Sequence, residues 1–253
     1  MNYNWLLEDT KDLEFNELKN ILDRLNIKYD IIECIPFSDV LLNINENSKY
    51  IPYGTVNLIQ KILNKYNNKN IHIWSNNDLF DYNILINNYK ELFLNYDATI
   101  TTFDKLLNSN YSGYYFLKPN KTIKSFSGAL FDLDHITSIY ENLSANNYLF
   151  DKNLEIIISS EKIIDIEYRL FIMNNKIISG SQYYKYSKLN INPYIPSEII
   201  EFGYKCIQTY NPLPYYILDI GIHKKKPYII ELNCFNCSGF YKSDIEKIIK
   251  CIY

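Results

Sequence analysis

Two apolar segments near the end of the chain, 215–222 and 227–232, are separated only by a short basic turn and predict a β-hairpin. Asp219 lies late in the first strand, and Glu231 and Asn233 lie two residues apart at the end of the second. Residues two apart on a strand point to the same face, so Glu231 and Asn233 can converge, and pairing of the hairpin can bring Asp219 alongside them. The hairpin therefore predicts a point at which two carboxylates and an amide meet.

Carboxylate and amide oxygens are suitable ligands for Mg²⁺, a hard cation that shares the rest of its coordination shell with phosphates. Acidic residues are also common at strand ends that face water. The spacing of Asp219, Glu231 and Asn233 by itself leaves both interpretations open, a magnesium site and a solvated acidic end of a sheet.

A second feature is a lysine at the end of an apolar strand. The strand predicted over 114–118 ends at Lys118, directly before Pro119, and a buried lysine is rare unless it meets an anion. The loop that follows carries ammonium groups, hydroxyls and a glycine, at Lys121, Lys124, Ser125, Ser127 and Gly128. Together with backbone amides, such groups can hold a polyphosphate. The alternative is a set of lysines in a solvated hairpin loop.

Glu167 and Arg169 are same-face neighbours in a third apolar strand, predicted over 166–173. Their simplest interpretation is an ion pair across neighbouring strands. The functional interpretation is a carboxylate that binds a ribose beside a guanidinium that binds a phosphate, since arginine forms paired hydrogen bonds with phosphate oxygens.

These three features, in this order, resemble the ATP-grasp superfamily over residues 111–253. The family pattern has a strand ending in Lys-Pro, a loop that covers phosphates, a hinge strand, an acidic-x-Arg strand, an Asp and a final Glu-x-Asn. The matching segments of this chain, in the same order, are Lys118-Pro119, the loop to Gly128, 156–161, Glu167-Tyr168-Arg169, Asp219 and Glu231-Leu232-Asn233. The compact variant found in phages and bacteria is the most similar, because it shares the loop from Lys124 to Gly128 and the ending from Asn233 to Tyr241.

The resemblance implies an α/β (α+β) ATP-grasp fold preceded by an N-terminal α/β pre-ATP-grasp domain. The N-terminal domain would comprise residues 1–110 and the ATP-grasp domain residues 111–253, with a lid subdomain at 111–157 and a C-terminal lobe at 158–253. The nucleotide would lie between the sheets of the ATP-grasp domain. Helix and strand signals alternate over the first 110 residues, which agrees with an α/β domain there.

The resemblance also implies roles for individual residues. Those implied to bind ATP at its phosphates, adenine or ribose are Lys118, Lys124, Ser127, Ser159, Ser160, Glu161 and Glu167. Those implied to hold Mg²⁺ are Asp219, Glu231 and Asn233. Lys118 and Arg169 would stabilise negative charge during the reaction, and Ser238 and Gly239 would bind substrate. The 121–128 loop would close over the phosphates.

The activity implied by the resemblance is ATP- and Mg²⁺-dependent ligation of a carboxylate to an amine. The carboxylate would attack the γ-phosphate to give an acyl phosphate, and the amine would then displace phosphate, with no protein nucleophile required. The expected partners are small-molecule or peptide acids and amines. Two alternatives use the same ATP site, namely a nucleotide-binding interaction module without turnover and another ATP-dependent phosphoryl transfer.

The composition argues against several other classes. With 26 basic against 29 acidic residues and a net charge of −3, the chain lacks the basic surface typical of a nucleic-acid-binding protein. The start of the chain has neither the basic nor the apolar region of a signal peptide, and no apolar run approaches the ~20 residues of a membrane-spanning helix. We therefore expect a cytoplasmic protein that binds neither nucleic acid nor membrane. The three histidines are scattered without a nucleophile motif, so a catalytic triad is unsupported.

The five cysteines, an odd number, indicate reduced thiols. Cys234 and Cys237 form a CxxC motif, which is typical of zinc sites and of redox pairs. A zinc site needs further ligands, and the sequence has no second CxxC or His pair. We interpret both cysteines as thiols that line or pack the site.

Several helix starts can also be predicted. Thr55 is expected to cap a helix whose apolar face carries Val56, Ile59 and Leu63, with a strand at 71–74 after it. Capping-box spacing predicts two further N-caps, Thr101 with Asp104 and Ser243 with Glu246.

Overall fold

The computed structural model describes residues 3–34, 44, 45, 48–65, 70–75, 77–120, 126–146 and 150–253. The chain divides into two compact units. The first unit comprises Met1–Ser75, Ile166–Ile220 and Glu231–Tyr253. The second comprises Asn76–Asp165 and Gly221–Ile230.

The first unit begins with a three-stranded parallel sheet. Its strands are β1 Asn4–Glu8, β2 Tyr29–Ile32 and β3 Tyr50–Tyr53, in the order β2-β1-β3. The helices of this region are α1 Leu13–Arg24 and α2 Val56–Lys65. Three consecutive residues of the central strand β1 are buried, as expected of a parallel strand that is covered on both faces.

Side-chain caps start both helices. Asp12 accepts a hydrogen bond from the Phe15 amide (2.8 Å) at the start of α1, and the predicted cap Thr55 accepts one from the Leu58 amide (3.3 Å) at the start of α2. The predicted apolar face of α2 is partly wrong, because Leu58, Ile59 and Ile62 are its buried residues. The strand predicted at 71–74 is reduced to a single bridge between Ile71 and Tyr50.

The second unit contains a four-stranded antiparallel sheet with helices beside it. The helices that precede the sheet are α3 Asn77–Phe80 and α4 Tyr82–Tyr89. The strands are β4 Thr99–Thr102, β5 Tyr114–Pro119, β6 Ala129–Asp132 and β7 Glu155–Ser160, in the order β4-β7-β5-β6. The remaining helices are α5 Phe103–Leu107 and α6 Ile136–Asn146. Its buried core includes Phe103, Leu117, Phe126, Ile156 and Ile158.

A five-stranded sheet follows in the chain. Its strands are β8 Ile166–Met173, β9 Lys176–Lys185, β10 Lys188–Asn192, β11 Tyr215–His223 and β12 Lys226–Asn233, in the order β10-β9-β8-β11-β12. The last helices are α7 Ser197–Thr209 and α8 Ile245–Lys250. Two-residue turns with positive φ close two of the hairpins, Asn174-Asn175 before β9 and Lys224-Lys225 before β12. The predicted hairpin of β11 and β12 is therefore present.

The core of the first unit includes fully buried aromatic residues from both of its sheets and from the segment after β12. Trp5 of β1, Phe171 of β8, Phe235 and Phe240 have no exposed surface and belong to one apolar cluster. Burial of each such side chain contributes roughly 2 to 3 kcal/mol. The cluster fixes the backbone immediately after β12.

Two predicted caps are displaced by one residue. The cap of α5 is Thr102, whose hydroxyl accepts from the Lys105 amide (3.3 Å), and the predicted residue Thr101 lies within β4. The cap of α8 is Asp244, whose carboxylate accepts from the Lys247 amide (2.9 Å), in place of Ser243. Among the described residues, no helix is both long and apolar enough to cross a membrane.

Candidate active site

The end of the last hairpin brings together the three side chains that the sequence predicts to converge. The Asn233 amide nitrogen donates to Glu231 Oε1 (2.9 Å) and to Asp219 Oδ2 (3.0 Å). Asp219 is buried, and Glu231 and Asn233 are half-buried. The amide of Asn233 thus bridges two carboxylates at the end of β12, all within the first unit.

This donor set fits a hard cation. The bridging N–H groups point at two carboxylates, which is the electrostatic position that a cation bound to both carboxylates would favour. Turning the Asn233 amide over would present its oxygen in place of its nitrogen. No group of three or more His, Cys, Asp or Glu side chains in the described part of the chain could hold a metal ion, so the amide is needed as the third ligand.

Arg169 forms a paired hydrogen bond with Asp219. Its Nε donates to Asp219 Oδ1 (2.9 Å) and its Nη2 to Asp219 Oδ2 (2.8 Å), while Nη1 donates to the Gly239 carbonyl (3.2 Å). The guanidinium carbon lies 5.5 Å from the ring centre of Tyr183 and 5.1 Å from that of Tyr241. Both charged residues are at least nine-tenths buried. The structure therefore pairs Arg169 with Asp219 on the neighbouring strand, and no ion pair with Glu167 is present among the described contacts.

The two buried charges stabilise each other. Burial raises the pKa of the Asp219 carboxyl, and the charge and hydrogen bonds of Arg169 oppose this rise. Burial lowers the pKa of the Arg169 guanidinium, but the nearby Asp219 carboxylate outweighs burial and raises it. Removing either residue would leave the other charge buried without its partner.

Glu167 is held by a tyrosine that sequence reasoning missed. Tyr183 is the extra residue of a β-bulge in β9, opposite the step from Glu167 to Tyr168. Its hydroxyl donates to Glu167 Oε2 (2.6 Å). Burial raises the pKa of Glu167, and this hydrogen bond opposes the rise. The bulge fixes the orientation of the carboxylate that is predicted to bind ribose.

The other residues predicted to bind ATP lie in the second unit. Lys118 is half-buried on β5, opposite Ile157 of β7. The Ser159 hydroxyl is buried and donates to Asn95 Oδ1 (3.2 Å), whereas Ser160, Glu161 and Ser127 are exposed. Lys124, like Lys121 and Ser125, lies outside the described residues.

The loop predicted to cover phosphates is anchored on both sides. Before it, the Asn120 amide donates to the Glu155 carbonyl (2.9 Å), and the Asn120 side chain donates to the Glu155 carboxylate (3.1 Å). After residues 121–125, Phe126 is buried against Phe103 in the core of the second unit. The closing motion of the loop stays a prediction.

The predicted substrate-binding residues, Ser238 and Gly239, line a cavity of about 250 Å³ in the first unit. The Ser238 hydroxyl itself is buried and donates to the Cys234 carbonyl (2.7 Å). Cys237 also lines the cavity, and Cys234 is buried beside it in sequence. All five cysteines are free thiols.

Asn236 is a second residue whose role the sequence did not reveal. Its side-chain nitrogen donates to the carbonyls of Pro52 (2.7 Å) and His72 (3.2 Å), and its side-chain oxygen accepts from the Trp74 amide (2.8 Å). Its own carbonyl accepts from the Gly54 amide (3.0 Å). The fully buried Asn236 therefore ties the segment after the predicted metal ligands to the parallel sheet.

We expect Asn236→Ala to lower the free energy of unfolding by about 3 kcal/mol, because three buried backbone groups would lose their partner. Urea unfolding monitored by tryptophan fluorescence measures this loss. The matched control is Asn88→Ala on the exposed face of α4, for which we expect a change within about 0.5 kcal/mol. Equal stability of the two variants would contradict the role assigned to Asn236.

The sequence matches a protein family described as an "ATP-grasp domain", the second family of its clade, over residues 93–251. A comparison with curated proteins finds no match.

Solved structures with a similar fold include three ATP-grasp proteins. ATP-grasp ligase PsnB in complex with a minimal precursor is 8% identical with a TM-score of 0.57, and the match covers 100% of this chain and 98% of PsnB. A RimK domain ATP-grasp protein from Sphaerobacter thermophilus is 11% identical with a TM-score of 0.58, covering 91% and 90%. D-alanine–D-alanine ligase from Bacillus anthracis is 16% identical with a TM-score of 0.51, covering 99% and 92%.

These similarities establish an α/β ATP-grasp fold. The family match spans more than half of the sequence and includes every residue predicted to bind ATP, metal or substrate. The chain belongs to this family of ATP-grasp domains.

Proposed function

We propose that the protein is an ATP- and Mg²⁺-dependent ligase that joins a carboxylate to an amine through an acyl phosphate. The observation that carries this proposal is the Asn233 amide bridging the carboxylates of Asp219 and Glu231, with Arg169 paired to Asp219. Membership of the ATP-grasp family supports ATP as the co-substrate. A module that only bound nucleotide would not require this complete set.

Asp219, Glu231 and Asn233 would hold the magnesium ion. When bound, Mg²⁺ neutralises charge on phosphate oxygens during transfer. Asp219 is oriented by two hydrogen bonds from Arg169, and Asn233 by the two carboxylates it bridges. The site is therefore arranged before any ligand binds, so little reorganisation is needed during the reaction.

The chain would act by binding, orienting and neutralising charge. Lys118 would bind a phosphate oxygen, Glu167 the ribose, and Ser159 to Glu161 the adenine. The substrate carboxylate would attack the γ-phosphorus as the bond to ADP breaks, and the amine nitrogen would then attack the acyl carbon as phosphate leaves. Positioning of two reactants in this manner can supply most of the acceleration without a protein nucleophile.

Incubation of the protein with ATP, Mg²⁺ and a panel of amino-acid and peptide acids and amines tests the proposal. We expect ADP and phosphate to form only when an acid and an amine are both present. ADP formation with an acceptor alone, and with the phosphoryl group retained on it, would instead indicate phosphoryl transfer. Tight ATP binding by the folded protein without ADP from any pair would favour the nucleotide-binding module.

We expect Lys118→Ala to weaken ATP binding about tenfold, because it removes the ammonium proposed to contact phosphate. Calorimetric titration with a non-hydrolysable ATP analogue and Mg²⁺ measures the affinity. The matched control is Lys105→Ala, an exposed lysine of α5 in the same unit, which should bind like the parent. An unchanged affinity in Lys118→Ala would remove this lysine from the nucleotide site.

A further inference from the structure

The cavity beside Ser238 and Gly239 lies at the carboxyl ends of two parallel strands. Its wall includes Glu8 at the end of β1 and Tyr53, Gly54 and Thr55 at the end of β3. In open α/β sheets, ligands bind at this edge of the sheet. A volume of about 250 Å³ has room for roughly eight water molecules, which suits a ligand the size of an amino acid.

The lining of the cavity has one sign of charge. Glu8, Asp12 and Glu14 contribute carboxylates, and none of the described residues that line it is Lys, Arg or His. Leu7, Phe15 and Leu18 add apolar surface. A wall of this kind repels a carboxylate and attracts an ammonium group attached to a short stem.

Two glycines make room for the carboxylates. A Cβ at Gly54 would lie 2.6 Å from Glu8 Oε2, and one at Gly239 would lie 3.1 Å from Glu14 Oε2. Without these side chains, Glu8 accepts from the Thr55 amide (2.5 Å), and Glu14 accepts from the amides of Phe240 (3.0 Å) and Tyr241 (2.8 Å). The backbone therefore holds two of the three carboxylates in the cavity wall.

One wall of the cavity is also connected to the acidic cluster at the hairpin end. The carbonyl of Gly239 accepts from Arg169 Nη1, and the same guanidinium pairs with Asp219. A ligand in the cavity would thus contact the segment that fixes Arg169. This link places the cavity next to the chemistry proposed above, within a single unit.

We infer that this cavity binds the amine substrate, as its ammonium form, through Glu8 and Asp12. The inference rests on the proposed ligase function for the identity of the ligand as the second substrate. Glu14 has its oxygens engaged by two backbone amides and serves to shape the wall. The acid substrate is excluded from the cavity by its charge.

Binding of glycinamide, a small ammonium compound without a carboxylate, tests the inference in the absence of ATP and Mg²⁺. In two-dimensional ¹H–¹⁵N NMR spectra of the full chain, we expect glycinamide to shift the amide signals of Gly54, Thr55 and Gly239. N-acetylglycine, an anion of similar size, should not shift them. The double substitution Glu8→Gln with Asp12→Asn should weaken glycinamide binding about tenfold or more, because both charges are removed.

The substituted side chains keep an oxygen for the Thr55 and Phe15 amides, so the fold should be retained. The matched control is Glu17→Gln on the exposed face of α1, which should bind glycinamide like the parent. The inference is overturned if glycinamide shifts none of these signals, if it binds the double variant and the parent equally, or if N-acetylglycine binds there. ATP turnover is assayed separately, so a ligase without glycinamide binding would refute only the cavity assignment.

Discussion

Arg169→Lys is expected to cut turnover more than tenfold at saturating ATP and Mg²⁺, a loss above ~1.4 kcal/mol of transition-state stabilisation, while ATP affinity changes little. A lysine ammonium cannot make the two parallel bonds to Asp219 and the bond to the Gly239 carbonyl at once. The lost bonds should also lower the free energy of unfolding by about 2 kcal/mol. Steady-state kinetics and urea unfolding measure the two effects.

The control is Arg24→Lys, because Arg24 is the only other arginine of the chain. It is exposed and pairs with Glu246 at the surface, where an ion pair contributes about 1 kcal/mol or less. Turnover and stability of Arg24→Lys should match the parent. If Arg169→Lys also turned over like the parent while remaining folded, the role proposed for Arg169 would be wrong.

Two roles of Arg169 are compatible. A guanidinium has five N–H donors, and the contacts among the described residues engage three of them. The other two can reach a phosphoryl or carboxylate oxygen while Asp219 stays paired. Glu167→Gln should separate the functions of these strand neighbours, since loss of a ribose contact weakens ATP binding and has less effect on turnover once ATP is saturating.

The sequence predicts the later strands well because their patterns are local. The β11 and β12 hairpin has long apolar segments and a short turn, and β8 is bounded by the turn at Asn174-Asn175. In the N-terminal part, β1 escapes prediction although it is central. Its buried residues Trp5, Leu6 and Leu7 are consecutive, and a short apolar run shows no period that distinguishes a strand from a helix.

Strand β3 illustrates a second limit of local patterns. Pro52 lies within it, and proline normally argues against a strand because it cannot donate to a ladder. The strand forms because β3 is at the edge of its sheet in the order β2-β1-β3, where one side of the strand requires no partner. Edge position depends on the whole topology and cannot be derived from the four residues of β3.

The candidate site shows the same division between local and tertiary information. Convergence of Glu231 and Asn233 follows from strand alternation, and their proximity to Asp219 follows from the hairpin. The pairing of Arg169 with Asp219 depends on β8 lying beside β11, fifty residues away in sequence. The contact of Tyr183 with Glu167 depends on a β-bulge, which shifts alternation by one residue. The ligand roles and the domain boundaries stay predictions.

Glu231→Gln is expected to weaken Mg²⁺-dependent ATP binding about a hundredfold, which corresponds to ~2.7 kcal/mol. Glu231 is one of the two carboxylates bridged by Asn233, and its neutralisation removes a charged oxygen ligand of the proposed metal. The glutamine keeps an oxygen that can accept from Asn233, and position 231 is only half-buried, so the fold should remain intact. Calorimetric titration of ATP at several Mg²⁺ concentrations, together with urea unfolding, measures both properties.

The matched control for this substitution is Glu201→Gln, on the exposed face of α7 in the same unit. It changes the net charge by the same amount, so a general electrostatic effect on the binding of an anionic nucleotide would appear in both variants. A specific ligand role predicts that only Glu231→Gln loses the Mg²⁺ dependence of ATP binding. If the affinity of Glu231→Gln rises with Mg²⁺ as steeply as that of Glu201→Gln, the hairpin end is a solvated acidic surface, and the metal must bind elsewhere.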